Sequence, residues 1–180
     1  MRVNPYVEPL LENATELLND PPRTPGELEQ RWASHGMPGQ QPATDDDLTL
    51  VIRYLADWRH AVDATSARER VAHLNRMLGT YTAAPSITDH DGSGWHLHFR
   101  DPDAGFGATL AGATSAAAAQ FLTDRGMHRL GRCRLAECAR AFADLSRPGT
   151  QRYCSHACAN RDAVRRHRIR RGRIHESTGS

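Results

Sequence analysis

The chain holds 180 residues, with 23 Lys+Arg against 21 Asp+Glu and a formal net charge of +2. That near-neutrality averages two opposite parts, since residues 1–124 carry nine arginines against 17 acids (net −8) and residues 125–180 carry 14 against four (net +10). A basic tail on an acidic body points to nucleic acid or another anionic surface, and the lack of any run of about 18 apolar residues excludes a membrane-spanning helix.

The first residues, Met1 to Glu8, contain no uninterrupted apolar stretch of the kind a secretory signal needs, which predicts a cytosolic protein. Asn4-Pro5 reads as the start of a helix through Leu10, Leu11, Ala14, Leu17 and Leu18, closed near Asp20-Pro21-Pro22. Three capping boxes follow at Thr24/Glu27, Thr44/Asp47 and Ser66/Glu69, each with a hydroxyl at the cap and a carboxylate three residues on. Behind the second, Leu48, Val51, Ile52, Leu55, Trp58 and Val62 recur at helical spacing. Behind the third, Ala67, Val71, Leu74, Leu78 and Tyr81 do the same, so each helix is predicted to bury one face. After Tyr81 the period changes. Ile87 lies in a short β-prone run, Asp91-Gly92-Ser93-Gly94 has turn chemistry, and residues 95–100 alternate with period two. The alternation predicts a hairpin with Trp95, Leu97 and Phe99 against the helices and His96, His98 and Arg100 outward. An alanine-rich helix over about Thr109 to Thr123 has the composition of tight helix packing rather than of a ligand groove.

All four cysteines fall in the C-terminal third, as Cys133-x4-Cys138 and Cys154-x3-Cys158. In a reducing compartment two short-spaced pairs point to a metal rather than to disulfides. Four thiolates at tetrahedral corners suit one structural Zn2+. His156, between the second pair, is a weaker competitor, because four sulfurs already close the coordination sphere. With no open position, such a metal folds the chain rather than activating water, contributing on the order of 10–16 kcal/mol in zinc-finger peptides. Residues 141–145 and 151–153 read as the two strands of a hairpin between the pairs, with Phe142 and Tyr153 as a small core and Ser155 capping the next helix. The fold class is α+β: a mainly helical N-terminal domain (1–124) with a β-hairpin, then a treble-clef-like zinc module (125–173) and a disordered tail (174–180).

Beyond Cys158 come Asn160, Arg161, Arg165, Arg166, Arg168, Arg170, Arg171 and Arg173, with Asp162 as the one interrupting acid. Arg161, Arg165 and Arg168 lie within about 60° of each other on a helical wheel, a cationic ridge suited to DNA phosphate. Arginine also reads guanine O6 and N7 in the major groove. Asn160 either contacts a base or bonds the knuckle backbone, the second being favoured. A helix charged on all sides has little to pack against, so its outer end from about Arg168 is expected to fray until neutralised.

These residues resemble the CGNR-type zinc-finger proteins of bacteria, which carry an N-terminal ABATE domain and are regarded as stress-induced transcription regulators. The resemblance rests on the two cysteine pairs, the stretch from Phe142 through Asp144 and Ser146 to Arg147, Arg152-Tyr153-Cys154, the Cys158-Ala159-Asn160-Arg161 signature and the arginines after it. It covers about residues 129–171; the N-terminal part is similar to the ABATE domain only in its order of elements. Ala159 stands where the family has glycine, which implies a helical backbone there. The resemblance implies a DNA-binding regulator whose residues 1–124 sense a small-molecule effector or mediate assembly, and short half-sites per chain favour a homodimer on double-stranded DNA. The rival readings are an RNA- or ribosome-associated protein and an enzyme housed in the N-terminal part. Against the latter, no nucleotide-binding, zincin or nucleophile-elbow motif occurs, and His35, His60, His73 and His90 have no evident partners.

Overall fold

Helix formation in the first two thirds follows from where the backbone donors find acceptors. The computed structural model describes residues 6–37, 41–89 and 95–177. The Asn4-Pro5 start, the Asp91–Gly94 turn, His90 and the side chains of His96, Arg170, Arg171 and Arg173 lie outside what it describes. Helix α1 spans Val7–Asn19, α2 Pro25–Ser34, α3 Asp45–Asp63, α4 Ala67–Tyr81 and α5 Phe106–Arg125. Strands β1 (Ser86–Thr88) and β2 (His96–His98) form one antiparallel pair. Strands β3 (Leu130–Arg132) and β4 (Ala141–Ala143) form another, and α6 covers His156–Ser177.

All three capping hydroxyls accept the expected amide, each at 3.2 Å. Only at Thr44 is the box reciprocal, with Asp47 accepting the Thr44 N–H at 2.9 Å. Glu27 and Glu69 reach one residue further back, to the N–H groups of Arg23 and Thr65, each at 2.8 Å. Asp47 has a second task. Its Oδ1 accepts the Gly107 N–H at 2.7 Å, so one carboxylate caps both α3 and α5, whose own cap, Gly105, has no side chain to offer. The approach is close enough that a Cβ on Gly107 would stand 2.7 Å from the Asp47 carbonyl oxygen.

Helix α5 is the centre of the body and packs on α1, α3 and α4. Its small residues let those backbones approach: a Cβ on Gly112 would lie 2.6 Å from the Tyr81 carbonyl oxygen. Around it stand Leu11, Leu17, Val51, Tyr54, Trp58, Leu74 and Met77, all buried, as is its own Leu110. The alanine-rich segment is therefore a packing helix, as its composition implies.

Helix α4 departs from the expected face. Val71 is 37 % exposed, and the buried positions are Arg70, Leu74 and Met77. Arg70 takes an inward position because the C-terminus of α3 needs donors. It donates to the carbonyls of Ala61 (2.8 Å), Val62 (3.2 Å) and Ala64 (2.9 Å), and also to that of Met127. The negative end of α3 and these four oxygens accommodate a buried guanidinium that has no carboxylate partner among the described residues.

The hairpin departs too. Ile87 opposes Leu97 in register, and both share a face with Trp95 by alternation, but that face is solvent-exposed: 70 % at Ile87, 78 % at Trp95 and 52 % at Leu97. Alternation determines which side chains share a face and not what covers it. Here α5 uses its surface on three helices, and β1 and β2 pack chiefly on each other.

Hydrogen bonds from Gly107 and Thr44 outweigh the effect of burial and hold the Asp47 carboxyl below the usual carboxylate range. A lowered folded-state pKa contributes stability above the unfolded value of about 3.9 and loses it as pH falls through the folded value. Urea denaturation of Asp47→Ala at pH 7 is expected to show a loss of about 1–2 kcal/mol. The gap from wild type should narrow below about pH 4; a constant gap down to pH 3 contradicts the double-cap role.

Candidate metal centre and basic helix

The hairpin β3–β4 docks on the body before the metal site begins. Leu130 and Ala141 belong to the main hydrophobic core. Asn19, at the end of α1, pairs with Ala141 like a strand residue, its Nδ2 donating to the carbonyl at 2.9 Å and its Oδ1 accepting the N–H at 2.7 Å. Arg132 joins Asp63 of α3 at 2.7 Å.

The register pairs Leu130 with Ala143 and Arg132 with Ala141, so the partner of the 141–145 segment is the run before Cys133. Residues 151–153, expected as the returning strand, are not in a strand. Asp144 explains the difference. It is buried, and its carboxylate accepts the Ser146 N–H (3.0 Å) and hydroxyl (2.5 Å) and the Gln151 N–H (2.9 Å). These bonds end the strand and fold the chain into a loop that passes through Gly149 at φ +66°. They also outweigh burial and keep the Asp144 carboxyl below its ordinary value. Arg129, likewise buried, donates to the carbonyls of Arg125, Asp144 and Ser146 at 3.1, 3.1 and 2.5 Å. The spacing Asp144-x-Ser146 was the available signal for this loop, since a short acid binding its own backbone two residues on is a turn device.

The hairpin delivers the first cysteine pair. The Cys133 N–H bonds the Arg140 carbonyl at 2.9 Å, and the Cys138 N–H bonds that of Leu135 at 2.8 Å, closing a tight knuckle over fully buried Leu135. Leu135, rather than Phe142 or Tyr153, is the buried apolar residue here; both aromatics are only partly buried. The Arg134 N–H then bonds the Arg152 carbonyl at 2.8 Å and brings the Cys154 segment alongside. The Ser155 hydroxyl accepts the Cys158 N–H at 3.2 Å, capping α6 as expected. Ala159 continues the helix, its N–H bonded to the Ser155 carbonyl at 3.1 Å, in agreement with a non-glycine residue at that position.

The four sulfurs lie within 4.8 Å of one another. Cys138–Cys154 and Cys154–Cys158 are each separated by 3.7 Å, close to the edge of about 3.8 Å for a tetrahedron with zinc–sulfur bonds of about 2.3 Å. Burial, together with the neighbouring thiols, pushes the Cys154 thiol up to about 12, whereas the Ser155 hydroxyl helps hold Cys158 below its ordinary value. Four thiolates so close together need a divalent cation to be ionised together. Cysteine type, number and spacing all fit one structural Zn2+ held by Cys133, Cys138, Cys154 and Cys158. His156 is exposed and outside this group.

Helix α6 leaves this centre into solvent. Its backbone is helical to Ser177, where the sequence predicts fraying from about Arg168 and a disordered tail from residue 174; a segment free of proline and rich in arginine permits this. From Arg161 to Ile169 every residue except Asp162 is exposed, including Arg161, Arg165, Arg166 and Arg168. Asn160 is exposed as well and makes no side-chain bond to the knuckle among the described residues. Asp162 is engaged on both oxygens: Oδ1 takes Arg165 at 2.7 Å, and Oδ2 takes the Tyr153 hydroxyl at 2.7 Å and Arg166 Nε at 3.1 Å.

Three of the scattered histidines do have partners. His35 lies 3.3 Å from both Glu16 and Asn13, and His60 and His73 stack with ring centroids 5.5 Å apart. None of these joins a metal-ligating group among the described residues.

Residues 129–171 match the family model of the CGNR zinc finger. A comparison of the chain with curated proteins finds no match. The match spans both cysteine pairs and α6 through Arg171. No helix among the described residues is long and apolar enough to cross a membrane.

The wild-type chain should carry one zinc, and Cys154→Ser, which removes the sulfur nearest two others, should carry well under one after dialysis against a weak chelator. Zinc released by a thiol-modifying reagent measures both. A zinc-free wild type, or a variant that keeps its zinc, contradicts the four-sulfur site.

Proposed function

We propose that this protein is a transcriptional regulator that binds double-stranded DNA through α6, with the zinc centre as the helix's mount. The observation that carries this reading is the isolation of α6: a 22-residue helix, roughly 33 Å long, seated on a metal centre and exposing Arg161, Arg165, Arg166 and Arg168. A helix fits the major groove of B-DNA, about 12 Å wide, and arginine supplies both phosphate contacts and bidentate contacts to guanine. Asn160 and Arg161, at the mounted end, and Arg165, Arg166 and Arg168 are the first DNA contacts in this reading; Arg170 and Arg171 extend the set along the sequence.

Duplex DNA is favoured over single-stranded RNA because the basic part offers no free aromatic platform for stacked bases. Phe142 is half-buried, and Tyr153 is bonded to Asp162. The cleft of about 670 Å³ between α1 and the finger holds Glu16 facing His35 at 3.3 Å and Asp20 paired with Arg31 at 2.8 Å; the DNA reading is carried by α6 and not by this cleft. We assign residues 1–124, similar to an ABATE domain in element order, to effector sensing or to joining two copies. The uncovered face of Ile87, Trp95 and Leu97 is a surface suited to a second copy.

Titration of a fluorescent duplex at several salt concentrations tests the reading. Wild type should bind with a log–log salt slope of about −4 to −5, and the Arg161→Ala/Arg165→Ala/Arg168→Ala variant should be shallower by about three. Saturation at two chains per duplex is expected for the dimer. An unchanged slope, or tighter binding to RNA than to duplex DNA, contradicts the assignment.

A further inference from the structure

Asp162 is the odd residue of α6. A carboxylate among arginines weakens the attraction of the helix for phosphate, so electrostatics alone gives no reason for it. It is nevertheless the only described residue between Arg161 and Ile169 that is buried, at 5 % exposure. Its surroundings come from two elements: the Tyr153 hydroxyl from the segment leading into Cys154, and Arg165 and Arg166 from the next turn of α6. Residues 162, 165 and 166 share one face of the helix by their i, i+3, i+4 spacing.

The atoms used are informative. Arg165 binds through Nη2, one arm of its fork, at 2.7 Å. Arg166 is held at Nε, which donates to the Asp162 carbonyl at 3.4 Å and forms an ion pair with Oδ2 at 3.1 Å. Binding at Nε leaves both terminal nitrogens of Arg166 without a partner among the described residues, on a side chain that is 56 % exposed. An arginine held from behind at Nε keeps its end-on fork for a bidentate acceptor pair, the arrangement that guanine O6 and N7 require. Fixing the side chain beforehand also removes part of the rotamer entropy that binding otherwise costs.

We propose that Asp162 is a positioning residue for base recognition, anchored by Tyr153 and holding Arg166 by Nε so that the free fork of Arg166 reads a guanine edge. The inference rests on the duplex-DNA reading above. Arg161 and Arg168, which lack this support, supply charge without sequence preference. The zinc centre takes part because Tyr153 is carried on the segment next to Cys154, so the clamp is aligned only while the finger is folded.

The experiment measures the ratio of Kd for random duplex to Kd for a duplex selected from a random pool, using the zinc-loaded full chain. Arg166→Lys keeps the charge and loses the fork. Its ratio should fall about ten-fold or more, while the salt slope, which follows the retained charge, stays the same. Asp162→Asn should bind random duplex more tightly and show a similar fall in ratio, and Tyr153→Phe should show a smaller fall. Retention of one zinc per chain verifies folding, and Arg166→Lys, altered at an exposed site, remains decisive if Asp162→Asn loses its metal. A ratio unchanged in Arg166→Lys overturns the proposal. So does a ratio lost in Arg166→Lys but kept in zinc-retaining Asp162→Asn and Tyr153→Phe, because Asp162 then only tethers the helix. A wild type with no preference for any duplex overturns the DNA reading and this inference with it.

Discussion

Four cysteine sulfurs within 4.8 Å of each other are the constraint on which the C-terminal third depends. As thiols they fill the space with poor partners, and as thiolates they repel; only a divalent cation makes their convergence favourable. Zinc joins a knuckle, a loop and a helix start that have little apolar surface of their own, with Leu135 as the fully buried side chain between the cysteines. Metal coordination takes the part that a hydrophobic core plays in the helical body, as expected for a unit of this size.

The metal centre does not hang on a loose linker. Leu130 and Ala141 enter the body's core, Asn19 completes the hydrogen bonds at Ala141, and Arg132 reaches Asp63. The position of α6 is thus inherited from α1 and α3 through β3 and β4. A rigid mount matters for a helix that projects its charge into solvent, because a fixed starting direction is what distinguishes a reading head from a diffuse cationic tail. It also gives the −8 body and the +10 C-terminal part a defined relation, with acids of α1 and Arg140 lining the same cleft.

Much of this was legible in the sequence where the deciding interaction is local. The apolar spacing of α1, the three capping hydroxyls, the small residues of α5 and the four cysteines each carry their own physical signal within a few residues. What escaped depends on partners far along the chain. Asp47 caps α5 from 60 residues away, and Arg70 claims an inward position on α4 because α3 ends beside it. The strand opposite β4 lies before Cys133 because Asp144 turns the chain away from 151–153. Hairpin alternation correctly grouped Trp95 with Leu97 but carried no information on cover. Asp162 was visible only as an interruption; its contacts give that interruption a meaning.

The central claim is that zinc organises a helix that reads DNA. It is tested most directly by selecting bound duplexes from a random pool with the zinc-loaded chain and, in parallel, with the chelated chain. The account predicts a guanine-containing motif that is enriched with zinc and lost without it. Recovery of the same motif from the chelated chain, or no enrichment in either arm, would contradict it.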